Sequence, residues 1–244
     1  CTSAYNGTSG FTIWASYETF VNCAAHHNTH NGFYVNGAFG GDHLLFQGCR
    51  GDNAGAGYHG FQLENQADTC TLINCIAAAN AQCGLYILNS RNNLLDSCYA
   101  TGNGADGIKF HSSNSCTMQS CRSSASSASG ISLEGTSSHC SLTNNTSSDN
   151  SSAGFWIGAS TNNNTFDSNF ASGNSWGAGF YLDGSDTNTL TNNRSSANDA
   201  GVDGFVLHNT ARDNLFSGNT ADANGADGMN LANVYSCTFT QNTL

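Results

Sequence analysis

Lys109 and His111 are separated by one residue, Glu134 falls at the matching place one sequence repeat later, and Glu64 lies two repeats before His111. Alternate residues of a strand point to one side, so strands at these places would gather all four on one surface. A lysine set near carboxylates can act as base or charge neutraliser in β-elimination from an acidic sugar. The same surface would carry Tyr34, Gln62, Tyr86, Trp156, Tyr181 and Asp183. Rings alternating with amides and carboxylates suit stacking on sugar rings with the hydroxyls bonded alongside. Aromatic residues also favour strands and stack on one another, which stiffens a solvated sheet with no ligand present. The residues by themselves fit either role.

His26, His27 and His30, with His59 one repeat on, mark a histidine-rich corner. Loop histidines are commoner than ligating ones, so neither a metal nor another cofactor is expected. Eleven cysteines occur in 244 residues. Cys1, Cys23, Cys49, Cys75, Cys98 and Cys121 recur at one place in successive repeats, and Cys116 and Cys140 at another, while Cys70, Cys83 and Cys237 have no cysteine in the neighbouring repeat. Parallel strands about 4.8 Å apart bring such neighbours within disulfide reach. Asparagine replaces cysteine in both columns, which points instead to small, stackable, buried thiols. A linear stack offers no tetrahedral cage for zinc.

What must position these side chains is a phrase of glycine, apolar, any, apolar, opening at Gly10, Gly32, Gly60, Gly84, Gly107, Gly130, Gly154, Gly179, Gly204 and Gly228. The interval of 22 to 28 residues is too short for a propeller blade or a helical hairpin, yet long enough for three short strands with their turns. The apolar pair is hydrophobic in every repeat, from Phe11 and Ile13 to Met229 and Leu231. A second apolar column follows at Phe20, Phe46, Leu72, Leu95, Met118, Leu142, Phe166, Leu190, Phe216 and Phe239. Three residues beyond it stands a ladder of Cys23, Cys49, Cys75, Cys98, Cys121, Asn145, Asn169, Asn193, Asn219 and Asn242. A further asparagine column runs from Asn28 to Asn224, and a small residue, Ala25 to Ala221, separates the two. Asparagine tolerates the left-handed backbone of a tight corner, and its amide can bond the next rung. All thirty apolar column residues are expected to be buried, with negligible helix.

The glycine-opened strand, second apolar strand, asparagine corner and small third side together resemble the right-handed parallel β-helix repeats of the pectate-lyase-like superfamily, over essentially the whole chain. The resemblance implies an all-β, single-stranded right-handed parallel β-helix (β-solenoid) of about ten coils, one domain over residues 1–244. It also implies an extracellular or cell-surface location and polysaccharide ligands, in a superfamily that includes lyases, hydrolases, epimerases, adhesins, tailspikes and non-catalytic fibres. Such a resemblance specifies fold more narrowly than function. The stretch Asp106-Gly107-Ile108-Lys109-Phe110-His111 is similar to the Tyr-Gly-Phe-Asp-Pro-His phrase of alginate C5-epimerases at the glycine, the apolar residue and the histidine. Asp106, Lys109 and Phe110 replace that family's tyrosine, aspartate and proline, so its mechanism does not transfer. A leucine-rich repeat shares the period but needs a Leu-x-x-Leu-x-Leu phrase and a helical half-repeat that are missing here.

A net charge of −11 with six Lys plus Arg leaves no electrostatic footprint for nucleic acid. No apolar run approaches the roughly 20 residues of a membrane span. With 28 glycines, no proline and 9% charged residues, the surface is built from Ser, Thr, Asn and Gly. Sequons at Asn6, Asn144, Asn145, Asn150, Asn163 and Asn193 fit a secreted surface. The coils are nearly uniform, with small excesses at Phe39 to Asp42 and Gly55 to Tyr58, so long groove walls are absent. An acidic surface also repels a polyuronate. No cap is evident at either end, and exposed rungs invite edge pairing. The leading expectation is therefore a secreted structural β-solenoid whose subunits stack head to tail into an extracellular fibre, with a carbohydrate-binding face. The alternative is a polysaccharide-active enzyme (lyase, hydrolase or C5-epimerase-like) or its non-catalytic binding module. Expected partners are a second copy of the chain and a polysaccharide.

Overall fold

A computed structural model describes residues 1–244, wound into thirty short strands that make three ten-stranded parallel sheets. The glycine-opened strands, Phe11–Ile13 to Met229–Leu231, form what is here termed the front sheet; Thr19–Val21 to Thr238–Thr240 form the back sheet, and Thr2–Ala4 to Thr220–Asp222 the side sheet. The winding is right-handed, as parallel crossovers are. Helix is confined to one 3-10 turn, Gly37–Phe39. Successive strands pair without slippage: Phe33 faces Phe61, which faces Leu85, which faces Ile108. The columns of the sequence are therefore the rungs of the sheets.

The interior is a stack of those columns. Phe33 and Phe61 lie ring on ring at 4.6 Å, and Phe155 and Phe180 at 4.5 Å. Each buried Leu or Phe contributes on the order of 1.5–3 kcal/mol. Of the apolar column residues, all are buried except Phe11, Phe20, Met229, Leu231 and Phe239. The expectation of complete burial fails at these five because they sit in the first and last coils, with a neighbouring rung on one side only. The repeat opens on glycine because the side sheet comes too close for anything larger: a Cβ on Gly107 or Gly130 would collide with the hydroxyl of Ser123 or Ser147.

The corner ladders differ from expectation in one respect. The left-handed residue is the one before the ladder, as at Asn144, Ser168 and Asn192, and not the ladder asparagine itself. Ladder asparagines are there for their amides. Nδ2 of Asn145, Asn169, Asn193 and Asn219 donates to the back-sheet carbonyl of the preceding coil, Met118, Leu142, Phe166 and Leu190, at 2.8–3.0 Å. Each Oδ1 from Asn169 to Asn242 also accepts the backbone N–H and the Nδ2 of the asparagine one rung earlier. In the other half of the ladder the thiols of Cys49, Cys75, Cys98 and Cys121 donate to the equivalent carbonyls of Phe20, Phe46, Leu72 and Leu95 at 3.2–3.5 Å. All eleven cysteines are free. Burial pushes the Cys70 thiol up to about 11 and that of Cys83 to about 12, so both keep their protons at neutral pH. Among the sequon asparagines Asn145, Asn150 and Asn193 are buried, while Asn6, Asn144 and Asn163 are exposed.

Candidate functional site

The front strand Ile108–His111 turns Ile108 and Phe110 into the core and leaves Lys109 and His111 half-exposed on the outer face. Register then lines up Tyr86, Lys109, Ser132, Trp156 and Tyr181 in one outer column, with His111 and Glu134 side by side in the other. Lys109 Nζ lies 2.7 Å from Glu134 Oε2 and 3.3 Å from Asp106 Oδ2, and His111 Nδ1 lies 3.7 Å from the same Glu134 oxygen. Three of the four residues singled out for acid–base chemistry are thus brought together.

Glu64, the fourth, belongs elsewhere. Its Oε1 accepts from Tyr34 Oη at 2.5 Å, Asn65 Nδ2 at 3.1 Å and Asn36 Nδ2 at 3.2 Å, and its Oε2 accepts from Gln62 Nε2 at 2.7 Å. That carboxylate is saturated by its own network, which also uses up Tyr34 and Gln62. Asp183, farther along the face, is bonded by Asn209 Nδ2.

Electrostatics around Lys109 are set by burial and by close acids. Burial works against the ammonium, but the bond to Glu134 and the charge of Asp106 outweigh it, and the pKa of Lys109 rises. Burial also raises Asp106 above the usual carboxylate range, with Lys109 opposing. His59, on the rung below Tyr86, is pushed down to about 4 by burial and then by the Lys109 charge. Its Nδ1 accepts the Cys83 backbone N–H at 3.1 Å, and its ring lies 4.7 Å from that of Tyr86. The imidazole is therefore neutral at neutral pH, with its proton on Nε2. The histidine-rich corner is split in the structure: His30 stacks on Tyr58 at 4.2 Å, His59 goes to Tyr86, and only His26 and His27 approach one another, Nδ1 to Nδ1 at 3.2 Å.

Beyond the cluster the same face carries an aromatic platform. Trp156 and Tyr181 stack at 4.7 Å, Trp176 lies parallel to Tyr181 at 6.4 Å, and Tyr181 Oη is 3.0 Å from His208 Nδ1. A cleft of about 350 Å³ opens here, with Trp176, Tyr181, Asp203, Val206 and His208 among its walls. Gly158 joins platform and cluster, since a Cβ there would touch both the Trp156 indole Nε1 and the Glu134 side chain. Gly158 is itself buried, and its lack of a side chain lets ring and acid close over the backbone there. Three participants were not among the candidates read from the sequence: Asp106, Trp176, and His59 as a neutral imidazole whose Nε2–H is left to donate. Trp176 had a usable signal, being a large aromatic in a turn of small and polar residues.

The family model described as "Right handed beta helix region" matches residues 9–171 and 160–244. A search of curated protein sequences finds no match. Among solved structures, the Azotobacter vinelandii mannuronan C-5 epimerase AlgE4 A-module aligns with a TM-score of 0.72 at 15% identity, over 98% of this chain and 76% of that one. Pectate lyase Pel9A aligns with a TM-score of 0.71 at 17% identity, over 96% and 68%. The Dettilon tailspike protein gp208 aligns with a TM-score of 0.55 at 14% identity, over 95% and 61%. At these identities the likeness is one of fold.

Proposed function

Because the chain belongs to the right-handed β-helix family, we propose that the outer face of its front sheet binds a polysaccharide, laid over the Trp156–Tyr181 platform and the Lys109–Glu134–His111 cluster. The observation that carries this is the half-exposed Trp156–Tyr181 stack set beside the Lys109–Glu134 pair, with Trp156 and Glu134 meeting over Gly158. Rings take the apolar face of a sugar, and the polar groups beside them take its hydroxyls and acid groups. Two structural neighbours, a mannuronan epimerase and a pectate lyase, support a glycan as the ligand class. Affinity electrophoresis against neutral and acidic polysaccharides tests it. Retardation by at least one glycan, lost in Trp156→Ala and Tyr181→Ala, is expected. Retardation by none, or retardation unchanged in both variants, overturns it.

A second reading adds catalysis, favoured by a charged Lys109, able to neutralise a sugar carboxylate, beside the Tyr86 hydroxyl. In β-elimination a base removes the proton from the carbon bearing the sugar's carboxylate, a carbon–carbon double bond forms, and the bond to the leaving sugar oxygen breaks as that oxygen takes a proton from solvent. Ultraviolet absorbance of unsaturated ends, abolished by Lys109→Met even at saturating glycan, is the expected sign, and no such absorbance from wild type contradicts it. The head-to-tail fibre is a separate proposal. It draws support from the near-uniform coils and the unbroken register of the three ten-stranded sheets. Periodic filaments in electron micrographs of native material support it, and compact single particles contradict it. An extracellular location accompanies both readings.

A further inference from the structure

The side sheet, remote from the platform, holds one arginine unlike the others. Arg50 pairs with Asp52, Arg91 with Asp68, Lys109 with Glu134, Arg194 with Asp222 and Arg212 with Asp186. Of the six Lys and Arg side chains in a chain of net charge −11, Arg122 alone makes no ion pair. It is exposed and borders a cleft of about 370 Å³ whose walls include Tyr99, Ser124, Thr146 and Ser148.

The repeat itself shows what such a cleft takes. Arg122 and Arg194 occupy one outer column of the side sheet, in the order Tyr99, Arg122, Thr146, Phe170, Arg194, Thr220. The adjacent outer column runs Thr101, Ser124, Ser148, Ser172, Ser196, Asp222. Arg194 sits over the ring one rung below, Phe170, at 5.6 Å. Its Nε and Nη2 each donate at 2.9 Å to one oxygen of Asp222, the residue one rung above in the adjacent column. Ser196 Oγ donates to the same carboxylate at 3.1 Å. Around Arg122 the residue types in register recur but one: Tyr99 replaces Phe170 below, Ser124 replaces Ser196, and the place of Asp222 is taken by Ser148. The guanidinium and an aromatic residue in register below it are kept, the ring without the guanidinium stacked on it, while the carboxylate is missing.

We propose that the Arg122 cleft binds the carboxylate of an acidic sugar, seated where Asp222 sits relative to Arg194. A planar guanidinium takes a carboxylate through two parallel hydrogen bonds. Tyr99, 37% exposed, presents its ring for the sugar's apolar face, and its hydroxyl is placed by Ser124 Oγ at 2.9 Å. Thr146 and Ser148 supply hydroxyls at the rim for those of the sugar. The volume suits a sugar ring better than a lone anion. Nothing in this site depends on a glycan at the front sheet.

The test is an NMR titration that follows the arginine Nε–H resonances, with digalacturonic acid as probe and galactobiose, acetate and an aspartate-rich peptide as comparisons. Digalacturonic acid should move the Arg122 resonance. Arg122→Lys, which keeps the charge but loses the fork, should weaken binding by about tenfold, the factor that one good charge-assisted bond commands. Ser148→Asp should recreate the Arg194–Asp222 pair, leave the circular dichroism spectrum unchanged and abolish the titration. Trp156→Ala should leave it intact, which separates failure here from failure of the front-sheet reading. The proposal is overturned if the Arg122 resonance does not move, if Ser148→Asp binds like wild type, or if galactobiose, acetate or the peptide binds as tightly as the acidic sugar.

Discussion

The interior of this solenoid and the outer face of its front sheet follow opposite rules. Inside, each coil repeats the same residue class at the same place, because every rung is the template for the next and a misfit would strand two neighbours at once. Asn169 shows this: it is bonded to the rung on either side, to Leu142 O and to Asn193 Oδ1, and itself accepts from Asn145. Outside, rungs differ from one to the next. Glu64 is locked by Tyr34 and Gln62, Lys109 is held between two acids, and Trp156 meets Glu134 over buried Gly158. Repetition marks what holds the coil together, and departures from it mark where a ligand can be told apart.

The contrast can be broken by changing one region and reading both. The largest effect belongs to Leu133→Asp, which puts a charge among stacked core residues. A loss of about 4 kcal/mol or more is expected in urea unfolding, with glycan binding lost along with the fold. Asn169→Ala comes next, at about 1–3 kcal/mol for each polar group left unpaired, and glycan affinity should stay unchanged in the folded fraction. The reverse pattern should hold for Trp156→Ala. Calorimetric titration should show affinity falling about tenfold, or about 1.4 kcal/mol, with the unfolding midpoint little changed. Cys75→Ala is the mildest, at about 1 kcal/mol, since a thiol is a weak donor and makes fewer bonds than the ladder amide. A cost equal to that of Asn169→Ala would show that the two halves of the ladder are held alike.

A pH series sharpens the site half of the comparison. His59 has its pKa lowered from 6.5 to about 4, so between those values the unfolded chain binds a proton that the folded chain refuses. Stability should therefore fall as pH drops from about 6.5 to about 4, and this slope should flatten in His59→Gln. Wild type and variant with identical slopes would remove His59 from the account.

Because the interior repeats, most of it was legible in the sequence. The glycine phrase located the front strands, and the second apolar column located the back strands, since both reflect burial that each coil must satisfy. Phe11, Phe20, Met229, Leu231 and Phe239 escaped that logic because a pattern records residue type and carries no information on whether a rung lies above. The corner asparagines were given the right place for a partly wrong reason, the left-handed backbone falling one residue earlier. On the face, the grouping of Lys109, His111 and Glu134 followed from strand alternation alone. Asp106 and His59 did not, because both reach the cluster from turns, where side-chain direction depends on the local backbone and has no period. Glu64 lies on the expected face, but its hydrogen-bond partners, and not its column, decide what it is free to do.

The most direct test of the front-sheet claim uses the three tryptophans, each giving one indole N–H resonance. Trp156 and Trp176 belong to the platform, whereas Trp14 packs on Phe39 of the 3-10 turn, beside the first strands of the front sheet. Titrating the native protein with an oligosaccharide of the polysaccharide it retains should shift the Trp156 and Trp176 resonances together, with one midpoint, and leave Trp14 in place. Movement of Trp14 alone, or of none of the three, would contradict the assignment of the glycan to this face.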